Sequence, residues 1–204
     1  MGARKVGPAI AAGCTSILKP APQTPLSSLA LAHLLAEAGL PAGVLTVLPS
    51  SRAAEIVAPM LDSGVIRKLS FTGSTAVGKL LLAQAAGQVI RTSMELGGNA
   101  PFLVLPDADL AAATAAVQAK MRNMGEACTA ANRFLVHVDA AEEFTATLAA
   151  RMGALTVGDG REDGVDVGPL IDASIWMAAT GPKISVEVIA LSGSTLASTV
   201  GSRK

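Results

Sequence analysis

The sequence predicts an α/β fold in which a parallel sheet carries helices on both faces and is followed by part of a second α/β domain. Between residues 11 and 96, short apolar runs alternate with longer helical patterns, which is typical of parallel sheets with right-handed crossovers. Half of the 204 residues are hydrophobic and 16% are charged, which is enough apolar material for a buried core. In such sheets, ligands bind at the carboxyl ends of the strands.

The elements up to residue 96 are predicted from apolar runs and their boundary residues. Thr24 is suited to the N-cap of the first helix, Pro25 to its first turn and Gly39 to its end. Cys14 lies inside the first apolar run and is expected to be a small buried residue. Strands are predicted over 11–20, 43–49, 66–74 and 89–96, and helices over 24–40, 51–64 and 75–87.

The pattern changes near residues 96–99, where a domain boundary is predicted. One domain is expected over 1–97 and part of a second over 98–180. The second domain is predicted to contain a strand within 97–110, an Ala-rich helix over 109–122, a strand over 133–138, a helix over 140–155 and a Gly/Asp-rich loop over 156–172. Residues 181–204 are rich in Ser, Thr and Gly, and we expect this tail to lie outside the fold.

The composition excludes several classes of function. Sixteen acidic residues balance sixteen basic ones, and there are four Phe, one Trp and no Tyr, so neither a nucleic-acid footprint nor a stacking platform is expected. The most apolar stretch, residues 26–48, is interrupted by His33, Glu37 and Pro41, so no membrane span is predicted.

The chain has only two cysteines, Cys14 and Cys128, too few for a disulfide framework or a cysteine metal cluster. A reducing compartment is therefore predicted. The N-terminus has no secretory h-region and no myristoylation pattern, so a cytoplasmic protein is expected. His33 and His137 have no evident triad or metal partner in the sequence.

A glycine-rich turn, "FTGSTAVGK" at residues 71–79, runs from a predicted strand into a helix. Backbone N–H groups and the helix dipole favour an anion at such a turn. Residues 73–79 fit a phosphate-binding P-loop, but Leu80 stands where that motif needs Ser or Thr for magnesium. A tight helix entry that binds nothing has the same pattern, so the residues alone leave both interpretations open.

Glu95 and Cys128 are the other candidates for chemistry. Glu95 ends a strand before two glycines and could serve as a general base or be a solvated turn residue. Cys128 follows Gly125, with Arg122 and Arg133 near in sequence; it could be a reactive thiol or a small core residue. Read singly, each residue allows both roles.

Four blocks in order resemble signatures of the NAD(P)-dependent aldehyde dehydrogenase superfamily: "LKPAPQTPLSSLALAHLL", "LSFTGSTAVGK", "MELGGNAPFLV" and the segment around Cys128. Within this superfamily, the sequence most resembles the succinate-semialdehyde dehydrogenases. The segments that carry this resemblance are "RKVGPAIAAGCTSILKPA", "FTGST", "ELGGNAPF" and "GPLID". The resemblance covers residues 4–173. It implies an incomplete Rossmann-like NAD(P)-binding domain over 1–97 and a partial catalytic domain over 98–180.

The resemblance also implies roles for individual residues. Cys128 matches the nucleophile that attacks the aldehyde, and Glu95 matches the base that activates the hydrolytic water. Arg122 matches an arginine that binds the substrate carboxylate in the semialdehyde enzymes. Lys19 matches a ribose contact and Ser74 a pyrophosphate contact; the predicted cofactor-binding set is Lys19, Gly73, Ser74, Gly78 and Leu96. No metal is expected.

The chain departs from the family pattern in several places. Pro22 replaces a residue that is usually acidic in NAD-preferring members, which leaves NAD and NADP open and favours NADP. Glu126 and Ala127 replace the usual Gln-Thr, and a carboxylate beside the thiol opposes thiolate formation. Ala130 replaces a second cysteine of many relatives. The spacing from Glu95 to Cys128 is one residue shorter than usual, which predicts a local irregularity, since one residue rotates a helix by about 100°.

Family members carry one sequence block before the matched segment and another after it, and this chain lacks both. The absent segments carry an asparagine of the oxyanion hole, worth about 3–4 kcal/mol of the barrier, a ribose contact and the oligomerisation strand of the homo-oligomeric relatives. We therefore expect a fragment, with an inactive nucleotide-binding remnant as the alternative to an enzyme. A P-loop nucleotide hydrolase is disfavoured by Leu80.

Overall fold

The computed structural model describes residues 1–109, 113–171 and 188–191. The chain divides into two compact units, Met1–Gly97 and Gly98–Lys204, and each is described by itself. No helix in the described part combines the length and apolar character that a membrane span requires.

The first unit alternates helices with short parallel strands, as the sequence predicts. Within residues 1–97 the strands form two parallel pairs, β1 with β2 and β3 with β4, rather than one continuous sheet. The elements are α1 (Gly2–Ala11), β1 (Ser16–Leu18), α2 (Leu26–Glu37), β2 (Leu45–Val47), α3 (Ala53–Asp62), β3 (Lys68–Gly73), α4 (Thr75–Ala86) and β4 (Arg91–Leu96).

The start of the first unit differs from the prediction. Helix α1 was not expected, because its glycines and the internal Pro8 are poor helix formers. The prediction that Cys14 is buried in a strand is wrong: β1 begins only at Ser16, and the Cys14 thiol is exposed. Helix α2 has Pro25, not Thr24, at its N-cap, so the predicted side-chain cap does not form.

The predicted ends of α2 and α3 are confirmed. Gly39 and Gly64 follow these helices with φ of 92° and 72°, a left-handed conformation that glycine adopts without steric cost. The core between α3, α4 and the β3–β4 pair is small, and its buried residues are Leu61, Leu81, Ala85 and Ile90. Helix α2 has no buried residue.

The second unit is a three-stranded parallel sheet with order β5-β6-β7. Its elements are β5 (Ala100–Val104), α5 (Ala113–Met121), a 3-10 turn (Arg122–Gly125), β6 (Ala131–His137), α6 (Val138–Gly153) and β7 (Val188–Leu191). The predicted helix over 109–122 is thus described from residue 113 onward. Strand β7 lies in the tail that we expected outside the fold, and that expectation is wrong for these four residues, which pair in parallel with β6. The rest of the tail lies outside the described residues.

The core of the second unit is centred on β6. Phe134 and Val136 are fully buried, and Phe144 of α6 is 2% exposed. The centroid of the Phe134 ring lies 5.5 Å from that of Phe102 and 6.1 Å from that of Phe144, and both pairs are tilted, at separations usual for aromatic pairs. This core holds the strand that immediately follows the Cys128 loop.

Candidate active site

The Cys128 loop joins the end of α5 to the start of β6. Ala130 and Ala131 are 1% and 3% exposed and attach the end of the loop to the core. The Cys128 thiol itself is exposed. Of the two roles left open by the sequence, the small buried residue is therefore excluded, and a solvent-accessible thiol remains.

The backbone before Cys128 is irregular. Asn123, Met124 and Gly125 have φ of 51°, 55° and 80°, three consecutive left-handed residues. This conformation costs a residue with a Cβ about 1–2 kcal/mol. The Glu126 N–H donates a hydrogen bond to the Asn123 carbonyl oxygen at 2.9 Å, which closes the turn. A local irregularity is therefore present before Cys128, and its origin in the short Glu95–Cys128 spacing stays a prediction.

Two polar side chains that no sequence pattern predicted as site residues flank the loop. The Lys120 ammonium at the end of α5 donates to the Asn132 Oδ1 atom on β6 at 2.7 Å. The Asn132 amide in turn donates to the Gly98 carbonyl oxygen at 3.4 Å. Partial burial lowers the pKa of Lys120 below its usual value. A lone Lys in an Ala-rich helix was the available signal, but its partner is known only from the sheet.

Arg122 and Glu126 are both exposed on the same loop. Arg122, the predicted carboxylate-binding residue, and Cys128, the predicted nucleophile, are six positions apart on this loop and belong to the second unit. An exposed guanidinium retains its donors for a bidentate contact with a carboxylate.

The glycine-rich turn lies in the first unit, at the N-terminus of α4. The Ser74 side chain is the N-cap and accepts the Val77 N–H at 3.3 Å. Residues 73–76 are exposed, so the positive end of the helix dipole is open to an anion. Just before it, the Thr72 Oγ1 atom is buried and has no hydrogen-bond partner among the described residues. These features fit a phosphate-bearing group.

The two predicted cofactor-binding glycines also have packing reasons to lack a side chain. A Cβ atom on Gly73 would lie 2.5 Å from Cζ of the Phe71 ring. A Cβ on Gly78 would lie 2.6 Å from a methyl group of Leu96. Gly78 is buried, and its lack of a side chain lets α4 approach β4. Leu96 therefore contacts α4 through its side chain.

Lys19 and Glu95 lie at the carboxyl ends of two strands of the first unit. Lys19 follows β1, is half-buried, and its ammonium donates to the Pro20 carbonyl oxygen at 2.9 Å. Glu95 is exposed on β4, where it is the register partner of Thr72 on β3. Glu95 and all the predicted cofactor-binding residues thus belong to the first unit, and Cys128 and Arg122 to the second.

The histidines have other partners. His33 Nε2 lies 3.4 Å from a Glu37 carboxylate oxygen on exposed α2. His137 is the N-cap of α6, and its Nδ1 atom accepts the Asp139 N–H. Among the described residues, no group of His, Cys, Asp and Glu side chains is arranged to hold a metal ion.

Residues 1–179 match the model of the aldehyde dehydrogenase family, so the chain belongs to that family. It is similar to a succinate-semialdehyde dehydrogenase of Paenarthrobacter nicotinovorans, with 60% identity over 173 residues, 84% of this chain and 38% of that protein. It is also 50% identical to a glutarate-semialdehyde dehydrogenase of Pseudomonas aeruginosa over 171 residues, 83% of this chain and 35% of that protein.

Solved structures give the same result for the fold. An NADP-dependent enzyme of E. coli superposes with a TM-score of 0.81 at 49% identity, over 84% of this chain and 36% of that one. The predicted α/β, aldehyde dehydrogenase-like fold is confirmed by this superposition. The chain spans about a third of the length of the relatives it matches.

Proposed function

We propose that this chain carries the nucleophile, the base and the cofactor site of an NAD(P)-dependent aldehyde dehydrogenase, which oxidises an aldehyde to a carboxylic acid. Residues 1–97 form its NAD(P)-binding domain and residues 98–180 part of its catalytic domain. The observation that carries the proposal is the exposed Cys128 thiol, on a loop that lies within the family match. A buried thiol could not reach a substrate.

The Cys128 thiolate attacks the aldehyde carbonyl carbon. A C–S bond forms, and the carbonyl π electrons move to oxygen, giving a thiohemiacetal oxyanion. When the oxyanion re-forms the C=O bond, the hydrogen on carbon leaves with its electron pair, and a thioester remains. When bound, NAD(P)+ supplies the acceptor for this hydride.

Glu95 acts in the second half of the reaction. Its carboxylate takes a proton from water, and the hydroxide attacks the thioester carbon. The C–S bond breaks, the thiolate leaves and the carboxylic acid is released. The exposure of Glu95 at the end of β4 supports this role, since a general base must reach solvent water.

The cofactor is held by the first unit. The open N-terminus of α4, with Gly73 and Ser74, is suited to the pyrophosphate, and the Lys19 ammonium to a ribose hydroxyl. Gly78 and Leu96 support this site by packing α4 against β4. NADP is the favoured cofactor, because the Pro22 side chain offers no acceptor for ribose hydroxyls and the similar E. coli enzyme is NADP-dependent.

The substrate is an aldehyde that carries a carboxylate, with succinate semialdehyde as the first choice. Two relatives at 50% identity or more act on semialdehydes of dicarboxylic acids. Arg122 is exposed on the loop that bears Cys128, six residues before it, and its guanidinium can bind the distal carboxylate.

Absorbance of the reduced cofactor tests the proposal, with the 204-residue chain, succinate semialdehyde and NADP or NAD. Cys128→Ala should abolish turnover, whereas the matched control Cys14→Ala, which alters the other exposed thiol, should leave it unchanged. Glu95→Gln should release about one equivalent of reduced cofactor per chain and then stall at the thioester. Cofactor binding without any turnover would instead identify the chain as an inactive remnant.

A second measurement tests the substrate class. Arg122→Met should raise KM for succinate semialdehyde at least about tenfold, because a charge-assisted contact with the carboxylate is lost. Butanal, which has a similar length and no carboxylate, should be oxidised equally well by the variant and the parent chain. An equal loss with both aldehydes would contradict the assignment of Arg122.

A further inference from the structure

The Cys128 loop lies between two residues that are hydrogen-bonded to each other. Lys120 is the penultimate residue of α5, and Asn132 is the second residue of β6. Their side chains meet at 2.7 Å between Nζ and Oδ1. The backbone between them, which includes three left-handed residues, is therefore closed at its base by one charge-assisted hydrogen bond.

Asn132 makes a second hydrogen bond, to a third segment of the chain. The Asn132 amide nitrogen donates to the Gly98 carbonyl oxygen, on the segment that leads into β5. One amide thus uses its oxygen toward α5 and its nitrogen toward the start of β5. This two-sided arrangement fixes the orientation of the Asn132 side chain, and through it the position of the Lys120 ammonium.

The loop needs such a constraint. Asn123 and Met124 occupy a conformation that is unfavourable for residues with a Cβ, and such conformations persist only where the surroundings hold them. The backbone hydrogen bonds inside the loop include Glu126 N–H to the Asn123 oxygen and Ala130 N–H to the Ala127 oxygen, and both are short-range. The Lys120–Asn132 bond spans the whole loop.

We propose that Lys120 and Asn132 are positioning residues, which hold the two ends of the Cys128 loop together and so place the thiol for reaction. The role of the thiol in this statement rests on the proposed function. The constraint on the loop does not, and it can be measured without turnover.

Hydrogen–deuterium exchange of the 204-residue chain tests the proposal. In Lys120→Met, amides of residues 123–130 should exchange about tenfold faster, as expected when one hydrogen bond to a charged group is lost. Amides of α6 around the buried Phe144 should exchange at the parent rate. Equal acceleration in α6 would show a general loss of stability and overturn the proposal, as would no change in the loop.

Three further variants sharpen the test. Asn132→Leu removes the same bond from the β6 side and should reproduce the effect of Lys120→Met, and the double variant should add nothing to either one. Asn132→Asp keeps an acceptor for Lys120 and should retain slow exchange in the loop. If neither Lys120→Met nor Asn132→Leu folded, the pair would hold the whole unit rather than the loop, and the proposal would be wrong.

Alkylation separates this proposal from the proposed function. In Lys120→Met, the iodoacetamide rate of Cys128 should change at least about threefold relative to that of Cys14, which lies in the other unit and serves as an internal control. If the chain proves to be an inactive remnant, exchange and alkylation still decide the role of Lys120. If it is active, kcat should fall in Lys120→Met and KM for the cofactor should stay constant.

Discussion

The second unit has a dense aromatic core, whereas the first has a small aliphatic one. At β6, the completely buried Phe134 packs against Phe102 on one side and Phe144 on the other. In the first unit, the buried cluster contains Leu61, Leu81, Ala85 and Ile90, and α2 has no fully buried residue. Leu26 and Leu34 of α2 are 76% and 61% exposed, although the helix is rich in leucine and alanine.

This difference matches the two roles proposed for the units. The proposed nucleophile, Cys128, lies on a strained loop, and strained backbone persists where closely packed surroundings hold it. The predicted cofactor residues instead lie at strand and helix ends, where backbone N–H groups and small residues matter more than core volume. Four changes test the contrast, from the largest expected effect to the smallest.

Phe134→Ala should reduce the free energy of unfolding by about 3–5 kcal/mol, because it leaves a cavity in the centre of the second unit. The matched change Leu34→Ala, on exposed α2, should stay within about 0.5 kcal/mol of the parent. Urea unfolding followed by circular dichroism measures both. Similar losses for the two variants would abolish the distinction between the units.

Gly78→Ala should destabilise the first unit by about 1–3 kcal/mol, since the new methyl group would lie 2.6 Å from Leu96. Gly7 in α1 provides the control: a Cβ there meets nothing within 4 Å, so Gly7→Ala should be neutral or stabilising. Adding Leu96→Ala should relieve part of the Gly78→Ala effect in a double-mutant cycle. Strict additivity would show that the two side chains do not compete for space.

Val89→Gly should stabilise the first unit by about 1 kcal/mol. Val89 has φ of 52° at the end of α4, where a β-branched residue is strained and glycine is not. The Val89 and Ile90 N–H groups donate to the Ala86 and Ala85 carbonyl oxygens, so the left-handed turn is a regular helix ending that suits glycine. A rise in Tm of a few degrees is expected; a lower Tm would contradict it.

Arg161→Gln should raise the pKa of Asp159 and leave stability at neutral pH almost unchanged. The Arg161 guanidinium beside Asp159 holds the pKa of that carboxyl below its usual value. The contribution of the pair to stability is fully present above the unfolded-state pKa of the carboxyl and is lost as pH falls through the folded-state pKa. It is small even at neutral pH, because the pair is exposed to solvent. NMR titration of the Asp159 side chain measures the shift, which should be absent in the control Arg52→Gln, because the Arg52 guanidinium pairs with Glu55 instead.

Much of the fold could be predicted from local pattern. The alternation of strands and helices, the glycine ends of α2 and α3, and the helix entry at Ser74 all depend on residues within a few positions of one another. Helix α1 was missed because Pro8 and its glycines oppose the local signal. Strand β7 was missed because only pairing with β6, more than fifty residues earlier, makes it a strand.

The sequence by itself determined the family and the order of the candidate residues, from Lys19 through Ser74 and Glu95 to Cys128, because order along the chain is a property of sequence. Only the tertiary structure decided that the Cys128 thiol is exposed, that Cys14 is not buried, and that Lys120 meets Asn132. Burial and side-chain pairing depend on which segments the sheet brings together. The free energy of this packing depends on contacts between residues distant in sequence, so no local sequence pattern predicts it.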